Sequence, residues 1–226
     1  MSIQDTSETM MKAVFPAFDG FALTSTDAHA EGVDAKRVLD IAASLSLIVL
    51  LAPLLALVTI AVLLDSRGPL MFAQRRTGLN GKTFPILKFR SMHVMEDGAE
   101  VKQAEKGDAR ITRVGRVIRK LSLDELPQLF NVLAGDMSLV GPRPHAVAHD
   151  EYYGAEITNY VVRQQVKPGI TGWAQVNGAR GETPTVAHMQ ARVDLDAWYV
   201  ENTSLTLDLL ILAKTPLEVL RTRNAH

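Results

Sequence analysis

An uncharged run of 24 residues, Ile41 to Leu64, constrains this chain more than any other feature of its sequence. As a straight helix it would be roughly 36 Å long, enough to cross the hydrocarbon core of a bilayer. Pro53, near its middle, lacks a backbone N–H and places its ring against the preceding turn, which favours a kink. The run therefore predicts a membrane element rather than the core helix of a soluble protein.

Basic residues flank both ends of this run: Lys36, Arg37, Arg67, Arg75 and Arg76. Because Lys and Arg are enriched in cytoplasmic segments, this symmetry gives a spanning helix no clear orientation and allows both ends to be cytoplasmic. We therefore expect residues 33–66 to form a re-entrant helix-break-helix with its break at Pro53. A single-pass transmembrane helix is the alternative.

Composition limits the remaining possibilities. The chain of 226 residues is long enough for one domain, and its net charge of −1 gives no reason to expect a nucleic-acid partner. It contains no cysteine, so neither disulfides nor a cysteine-based metal site holds the fold.

Residues 1–32 are polar and without a sustained apolar period, which predicts a mobile tail. Their acidic residues argue against a signal peptide.

Two adjacent carboxylates, Asp124 and Glu125, lie in the stretch Leu121 to Pro144. Apolar residues recur after them at helical spacing, which predicts a short amphipathic helix that begins at the acids and ends near Gly135. Just upstream lies a cluster of cations: Arg110, Arg113, Arg116, Arg119 and Lys120. Acids that face a basic cluster suit phosphate chemistry assisted by a divalent metal.

A structural interpretation of the same acids stays open on spacing alone. Ser122 and Glu125 have the spacing of a capping box, and Asp124 is itself a candidate helix cap. Beyond the helix, glycine and two prolines predict an irregular turn that presents Arg143.

Two short apolar segments predict a small β-hairpin, Leu70–Ala73 with Thr83–Leu87. Alternation along the second strand would bring Lys88 and Arg90 to one face, where two cations can grip a diphosphate. An ordinary solvated strand face is the alternative, and the pattern alone favours it.

Other segments are less specific. Met95–Gly107 predicts an exposed helix or loop. Asp108–Lys120 predicts a turn that continues as a helix, whose cations suit either substrate or anionic lipid. His145 and His149 have i, i+4 spacing but lack the glutamate typical of zincins, so an exposed helix is favoured over half a metal site.

The C-terminal third begins with a glycine-rich segment, Val166–Glu182, which predicts a loop with four side chains available to a ligand: Trp173, Gln175, Asn177 and Arg180. A packed surface loop is the alternative. Val186–Tyr199 predicts a helix. Leu205–Leu220 predicts a second, apolar helix interrupted at Pro216, packed in the core or in the membrane interface.

Three motifs together resemble the bacterial sugar transferases, the monotopic polyprenyl-phosphate glycosyl-1-phosphate transferases. They are KFRSM (Lys88–Met92), the stretch Leu121–Pro144 and VKPGITGWAQVNGARGE (Val166–Glu182). The similarity runs from about Lys36 to the C-terminus, and the chain resembles the minimal form of the family. The resemblance implies a compact, mostly helical α/β catalytic domain over residues 67–226, on the cytoplasmic face of the bacterial inner membrane.

The resemblance also implies an activity, the transfer of a hexose 1-phosphate from a UDP-sugar to undecaprenyl phosphate with release of UMP. The motif around Gly172 is most similar to members that use UDP-glucose, with related hexoses left open. Asp124 matches the family's nucleophile, and Glu125 matches a neighbouring acid that binds Mg²⁺. Candidate substrate contacts are Lys88, Arg90, Arg119, Arg143, Gln175 and Arg180.

Two rival functions stay open: a non-catalytic protein that binds anionic membrane lipid, and a lipid phosphatase or pyrophosphatase that uses the same acids. The sequence also leaves the oligomeric state open, a homo-oligomer included.

Overall fold

The structure, a computed structural model, describes residues 34–93, 108–181 and 183–221, with side chains as far as residue 219. The predictions for residues 1–32 and for Met95–Gly107 lie outside the described residues. The α-helices are α1 (Ala35–Asp65), α2 (Arg113–Lys120), α3 (Gln128–Ala134), α4 (Val147–Glu156), α5 (Trp173–Val176), α6 (Val186–Glu201) and α7 (Leu205–Arg221). The strands are β1 (Met71–Thr77), β2 (Thr83–Phe89), β3 (Ser138–Val140) and β4 (Gly169–Thr171). Short 3₁₀ turns lie at Leu79–Gly81, Leu123–Glu125 and Tyr160–Gln164.

The long apolar segment forms one continuous helix. Asp34 begins α1 by accepting a hydrogen bond from the backbone N–H of Lys36 at 3.0 Å, and the helix continues through Pro53 to Asp65. The predicted helix-break-helix is therefore not confirmed. A proline removes only one N–H from the helix ladder, and packing along the remaining length can hold the helix together across it.

That packing is a stripe along one side of α1. Residues spaced by one or two helical turns contact the domain beneath: Asp40, Ser44, Ile48, Leu55, Val58 and Val62. The opposite side exposes Val49, Leu50, Leu57, Ile60 and Leu64. By length and composition, α1 is the one helix of the described residues able to cross a membrane, and only 11% of its apolar window is buried. One side of α1 therefore belongs to the domain, and the other is apolar and uncovered.

The predicted hairpin is confirmed and is longer than expected. β1 and β2 pair antiparallel from Met71 opposite Phe89 to Thr77 opposite Thr83. The chain reverses at Asn80, whose φ of 54° is a left-handed conformation that asparagine tolerates. The far end of β2 carries Lys88 towards the acid pair.

A second, parallel pair of strands holds the turn that follows β3. The N–H of Gly141 donates to the carbonyl of Thr171 at 2.9 Å, and the N–H of Gly169 donates to the carbonyl of Pro142 at 2.9 Å. A Cβ at Gly169 would lie 2.1 Å from the nitrogen of Gly141, so the two backbones touch. The segment predicted as a loop therefore contains β4 and α5, and its first glycine is needed for close backbone approach.

The C-terminal helices follow the sequence pattern closely. Thr185 caps α6 by accepting from the N–H of His188 at 3.3 Å, which confirms the predicted helix and extends it to Glu201. The predicted interruption at Pro216 is wrong, because α7 continues through it. Ile211 of α7 is fully buried while Leu209 is half exposed, so this helix lies partly in the core and partly at the surface.

We predict that Gly169→Ala lowers the free energy of unfolding by roughly 1–3 kcal/mol, because the new methyl group meets backbone atoms that cannot move aside. Gly154→Ala in α4 is the matched control, since its nearest neighbouring atom would be 3.9 Å away. Removing a helix-interior glycine there should be neutral or stabilise by about 0.5–1 kcal/mol. Denaturant unfolding in detergent measures both, and equal effects would contradict the prediction.

Candidate active site

The two acids lie on the 3₁₀ turn Leu123–Glu125, between α2 and α3. Helix α3 begins only at Gln128, after Pro127, so Asp124 is not its cap. The capping box is also not formed. Ser122 has a left-handed backbone with φ 56° rather than the extended conformation of a cap, and its hydroxyl accepts a hydrogen bond from Arg180 instead. Both structural interpretations of the acids are therefore wrong, whereas the predicted end of α3 at Gly135, with φ 95°, is confirmed.

Glu125 is held by two cations from different parts of the chain. Lys88 Nζ lies 2.8 Å from its Oε1, and Arg143 Nη1 donates to its Oε2 at 2.9 Å while Nη2 bonds Oε1. Burial acts to raise the pKa of Glu125, but Arg143 and Lys88 outweigh it and hold that pKa well below its usual value. Glu125 is therefore ionised, with both oxygens occupied.

Asp124 differs from Glu125 in its hydrogen bonds and in the direction of its pKa shift. Only 5% of the residue is exposed, yet no hydrogen bond or ion pair reaches its carboxylate from any residue that the structure describes. Burial, and then the charge of Glu125, raises the pKa of Asp124 to about 6, against the opposing effect of nearby cations. Paired acids whose pKa values are pushed apart have distinct chemical roles in many active sites.

A buried amide aligns the strand that carries Lys88 with the helix that follows the acid turn. Asn131 of α3 accepts from the N–H of Leu87 at 3.0 Å and donates to the carbonyl of Pro85 at 2.8 Å. The sequence analysis missed this residue. Its signal was a polar side chain among the apolar positions of a short helix, where burial requires a hydrogen-bond partner.

Arg90 is not brought to the acid pair. It follows the last residue of β2, and its guanidinium donates to Ser66 Oγ at 3.2 Å, to the carbonyl of Val62 at 3.3 Å, and to the carbonyls of Ser66 and Pro69. The prediction that Lys88 and Arg90 act together on phosphate is therefore corrected. Arg90 instead binds carbonyls at and just after the C-terminal end of α1, and that of Val62 also accepts from the N–H of Ser66 at 3.4 Å.

Two further predicted arginines lie at the edge of the site. Arg119 is among the cations that oppose the raised pKa of Asp124, and its Nε is buried without a hydrogen-bond partner among the described residues. Arg180 bonds Ser122, the residue before the acid turn, and also the carbonyl of Glu218 at 3.3 Å. Arg119, Arg143 and Arg180 therefore converge on the acid turn from three segments.

The other candidates from the glycine-rich segment bond within that segment or pack on α6. Gln175 is buried and donates to the carbonyl of Ile170 at 3.1 Å. Trp173 stacks on Trp198 with ring centroids 4.7 Å apart, and the exposed Asn177 donates to the carbonyl of Trp173 at 2.8 Å. None of these hydrogen bonds or ring contacts reaches the acid pair, whereas Arg180 bonds the residue just before the acid turn. The expectation that these side chains contact a ligand stays a prediction.

The helix predicted after Pro144 forms as α4, but His145 is not part of it, because α4 begins two residues later and the histidine is buried. Its Nδ1 lies 2.6 Å from Tyr160 Oη, and burial together with the charge of Arg163 holds the pKa of His145 well below its usual value. Within the described ranges, no three His, Asp or Glu side chains are grouped to hold a metal ion.

Of the two acids, Asp124 has oxygens available to a magnesium ion and Glu125 does not. Mg²⁺ is commonly held by one or two carboxylates together with substrate phosphates and water, so a large cluster of ligands is not required. The oxygens of Asp124 are available for this, whereas both oxygens of Glu125 are occupied by Lys88 and Arg143. The predicted ligand, Glu125, therefore fits less well than Asp124.

Comparison with known proteins identifies the family of this chain. The family described as bacterial sugar transferase matches residues 32–222. The chain belongs to the bacterial sugar transferase family.

Three relatives show how similar the chain is to individual members of the family. The chain is 55% identical over 191 residues to the UDP-glucose:undecaprenyl-phosphate glucose-1-phosphate transferase of Caulobacter vibrioides, covering 84% of this chain and 72% of that protein. It is 50% identical over 180 residues to the protein of the same name from Escherichia coli, covering 80% of this chain but only 39% of the relative. It is 45% identical to the exopolysaccharide production protein PSS of Rhizobium leguminosarum, covering 80% of this chain and 92% of that protein.

We predict that Asp124→Asn raises the free energy of unfolding at pH 8 by roughly 1–3 kcal/mol. The carboxyl has a pKa of about 6 when folded, above its ordinary value of 3.8, so ionisation is unfavourable in the folded state. This destabilisation is complete above pH 6 and disappears as the pH falls towards 4.

Unfolding in detergent at several pH values measures the effect. Glu201→Gln, at an exposed position of α6, is the control and should change stability by less than about 0.5 kcal/mol. A variant at Asp124 that is less stable than wild type at every pH would contradict the prediction.

Proposed function

We propose that this protein transfers a hexose 1-phosphate from a UDP-hexose to undecaprenyl phosphate through a covalent intermediate on Asp124, with release of UMP. The observation that carries the proposal is the unequal acid pair. Asp124 is buried and has no partner among the described residues, while Glu125 beside it is neutralised by Lys88 and Arg143. A carboxylate held in this way is available as a nucleophile.

In the first step an Asp124 oxygen attacks the β-phosphorus of the UDP-hexose. The new O–P bond makes an acyl phosphate that carries the sugar. The bond between the β-phosphorus and the oxygen bridging to the α-phosphorus breaks, and that oxygen leaves with UMP. We propose that the cations of Arg119, Arg143 and Arg180, which lie around the acid turn, offset negative charge on the phosphates during this displacement.

In the second step an oxygen of undecaprenyl phosphate attacks the same phosphorus. The bond to Asp124 breaks, the carboxylate is restored and the lipid carries the hexose through a diphosphate. Dividing the transfer in this way lets two bulky anions use one phosphate site in turn. A bound Mg²⁺ would supply further positive charge to the phosphates, with Asp124 as its best-placed protein ligand.

The choice of substrates rests on relatives. The Caulobacter vibrioides and Escherichia coli proteins are named for UDP-glucose and undecaprenyl phosphate. The chain spans only about two fifths of the Escherichia coli protein, so activity and substrate are proposals for this chain. We propose glucose 1-phosphate as the transferred group. We also propose the priming of an exopolysaccharide or capsule as the purpose, in agreement with the name of the Rhizobium leguminosarum relative.

We further propose that both ends of α1 lie on the cytoplasmic side of the inner membrane. Near its N-terminus, Asp40 accepts from Ser138 Oγ at 3.0 Å and from the N–H of Leu139 at 2.9 Å. At its C-terminus, Asp65 accepts from the N–H of Val114 at 2.9 Å. Because one domain binds both ends, a helix that placed them on opposite sides of a bilayer would have to break one of these attachments.

The exposed side of α1 supports the membrane part of this proposal. Leu50, Leu57 and Leu64 are between 64% and 83% exposed, and burying them in lipid is favourable by roughly 1.5–3 kcal/mol each. The helix would then enter one leaflet with its apolar side while its other side stays on the domain. This arrangement keeps the monotopic character that the sequence predicts without requiring a break at Pro53.

We expect purified protein with Mg²⁺ to release UMP from UDP-glucose only when undecaprenyl phosphate is present. Asp124→Asn should lower this rate by more than about 10³-fold, because the attacking atom is lost. The control Glu201→Gln should match wild type. A luminescent UMP assay and chromatography of the lipid product measure both quantities.

Each outcome of this assay separates the proposal from a rival. Release of inorganic phosphate instead of UMP would favour a phosphatase. Activity that persists in Asp124→Asn would remove the assigned nucleophile. Activity with UDP-galactose but not UDP-glucose would correct the sugar, and no activity with a panel of UDP-sugars would favour a lipid-binding role.

The topology is testable because the chain lacks cysteine. We expect Ala35→Cys and Arg67→Cys, at exposed positions beside the two ends of α1, to resist an impermeant thiol reagent in intact cells and to react in inverted vesicles. Leu50→Cys should be unreactive in both preparations, because lipid covers it. Labelling of only one of the two end positions in intact cells would contradict the proposed topology.

A further inference from the structure

Arg163 is a buried arginine to which the proposed mechanism assigns no role. It lies in the 3₁₀ turn Tyr160–Gln164 and is only 5% exposed. Its Nε and Nη2 donate to Asp196 Oδ2 of α6 at 3.2 and 3.0 Å, so its charge is paired inside the domain. The guanidinium also lies over the ring of Tyr160, 5.2 Å from the ring centroid. It is therefore fixed in one orientation.

The same guanidinium bonds the turn that carries Arg143. Its Nη2 donates to the main-chain carbonyl of Arg143, and its Nη1 bonds Nδ1 of His145. Nη1 also donates to Tyr160 Oη at 3.2 Å. Because arginine only donates, Nδ1 of His145 must accept, which requires a neutral histidine. One planar group thus binds this turn at two points, on either side of Pro144.

We propose that Arg163 is a positioning residue for the transfer reaction, which fixes the backbone of Arg143 and thereby the orientation of its side chain on Glu125. The inference rests on the proposed function. Arg143 meets Glu125 through two hydrogen bonds. Such a bidentate contact requires that the backbone of Arg143 be held in place and that its side chain point towards the carboxylate. Its neighbours Pro142 and Pro144 have no backbone N–H, so neither can donate a hydrogen bond to hold the turn.

Arg163, held by Asp196, supplies hydrogen-bond donors that the two prolines of the turn do not have. The carboxylate occupies one edge of the guanidinium and leaves the other donors directed at Arg143 and His145. A lysine in place of Arg163 would keep a positive charge near Asp196. A single ammonium cannot present the same planar set of donors to Asp196, the Arg143 carbonyl and the histidine together.

A double-mutant cycle with Arg163→Lys and Arg143→Lys tests the inference, with rates expressed per folded enzyme from unfolding curves. In the wild-type background we expect Arg163→Lys to lower kcat/KM for UMP release by about 10- to 100-fold. In the Arg143→Lys background, Arg163→Lys should lower kcat/KM by less than about 2-fold, because the bidentate contact that Arg163 positions is already gone. Losses that multiply independently would overturn the proposal.

Arg37→Lys is the matched control. Arg37 also donates to two main-chain carbonyls, those of Val132 at 2.6 Å and Leu133 at 2.8 Å, but it bonds neither Arg143 nor the acid pair. Its effect should multiply with that of Arg143→Lys. Coupling as strong as that of Arg163→Lys would mean that the cycle reports general loosening, and it would overturn the inference.

If Arg163→Lys does not fold, Tyr160→Phe replaces it in the cycle. This change removes one acceptor of Arg163 and a contact of His145 while leaving the pair with Asp196 intact. We expect a smaller loss, about 2- to 10-fold, with the same coupling to Arg143→Lys. Full activity in Tyr160→Phe would overturn the inference, whereas an inactive wild type would instead contradict the proposed function.

Discussion

The ion cluster of Lys88, Glu125 and Arg143 is the interaction on which the rest of this structure depends. Its three members come from a hairpin strand, a 3₁₀ turn and the turn after β3, so the cluster exists only when all three segments meet. Leaving one member of a largely buried charge cluster without its partner costs roughly 3–5 kcal/mol. The amide of Asn131 and the close contact of Gly141 with Gly169 are the means by which the fold brings these segments together.

The cluster also explains how two neighbouring acids acquire different properties. Lys88 and Arg143 occupy both oxygens of Glu125, and burial beside that charge raises the pKa of Asp124 to about 6. Near neutral pH Asp124 is therefore largely ionised without a hydrogen-bond partner among the described residues, a state that is costly for stability and useful for nucleophilic chemistry. The same division explains why Asp124 fits a metal ion better than Glu125 does.

Helix α1 is attached to the same domain along one side only. Its buried stripe contacts the domain at Asp40 and Val62, while its apolar outer side is not covered by the described residues. Arg90, which the sequence assigns to phosphate, instead binds the carbonyls at the end of α1. The site and α1 are thus joined through β2, since Lys88 and Arg90 are only two residues apart. An acid pair held in this way stays at a fixed position relative to α1, the helix that we propose enters the bilayer.

The sequence by itself determined the elements that short-range physics controls: the hairpin, the capped helix α6, the glycine that ends α3, and a long apolar helix. It also placed an acid pair among cations and, through three motifs, identified the family. Tertiary structure alone decided that α1 and α7 continue through Pro53 and Pro216, because packing compensates for a missing N–H. It also decided that Ser122 bonds Arg180 rather than capping a helix, and that Lys88 bonds Glu125 while Arg90 does not. A charged side chain's partner depends on which segments meet in space, and no spacing along the chain specifies that.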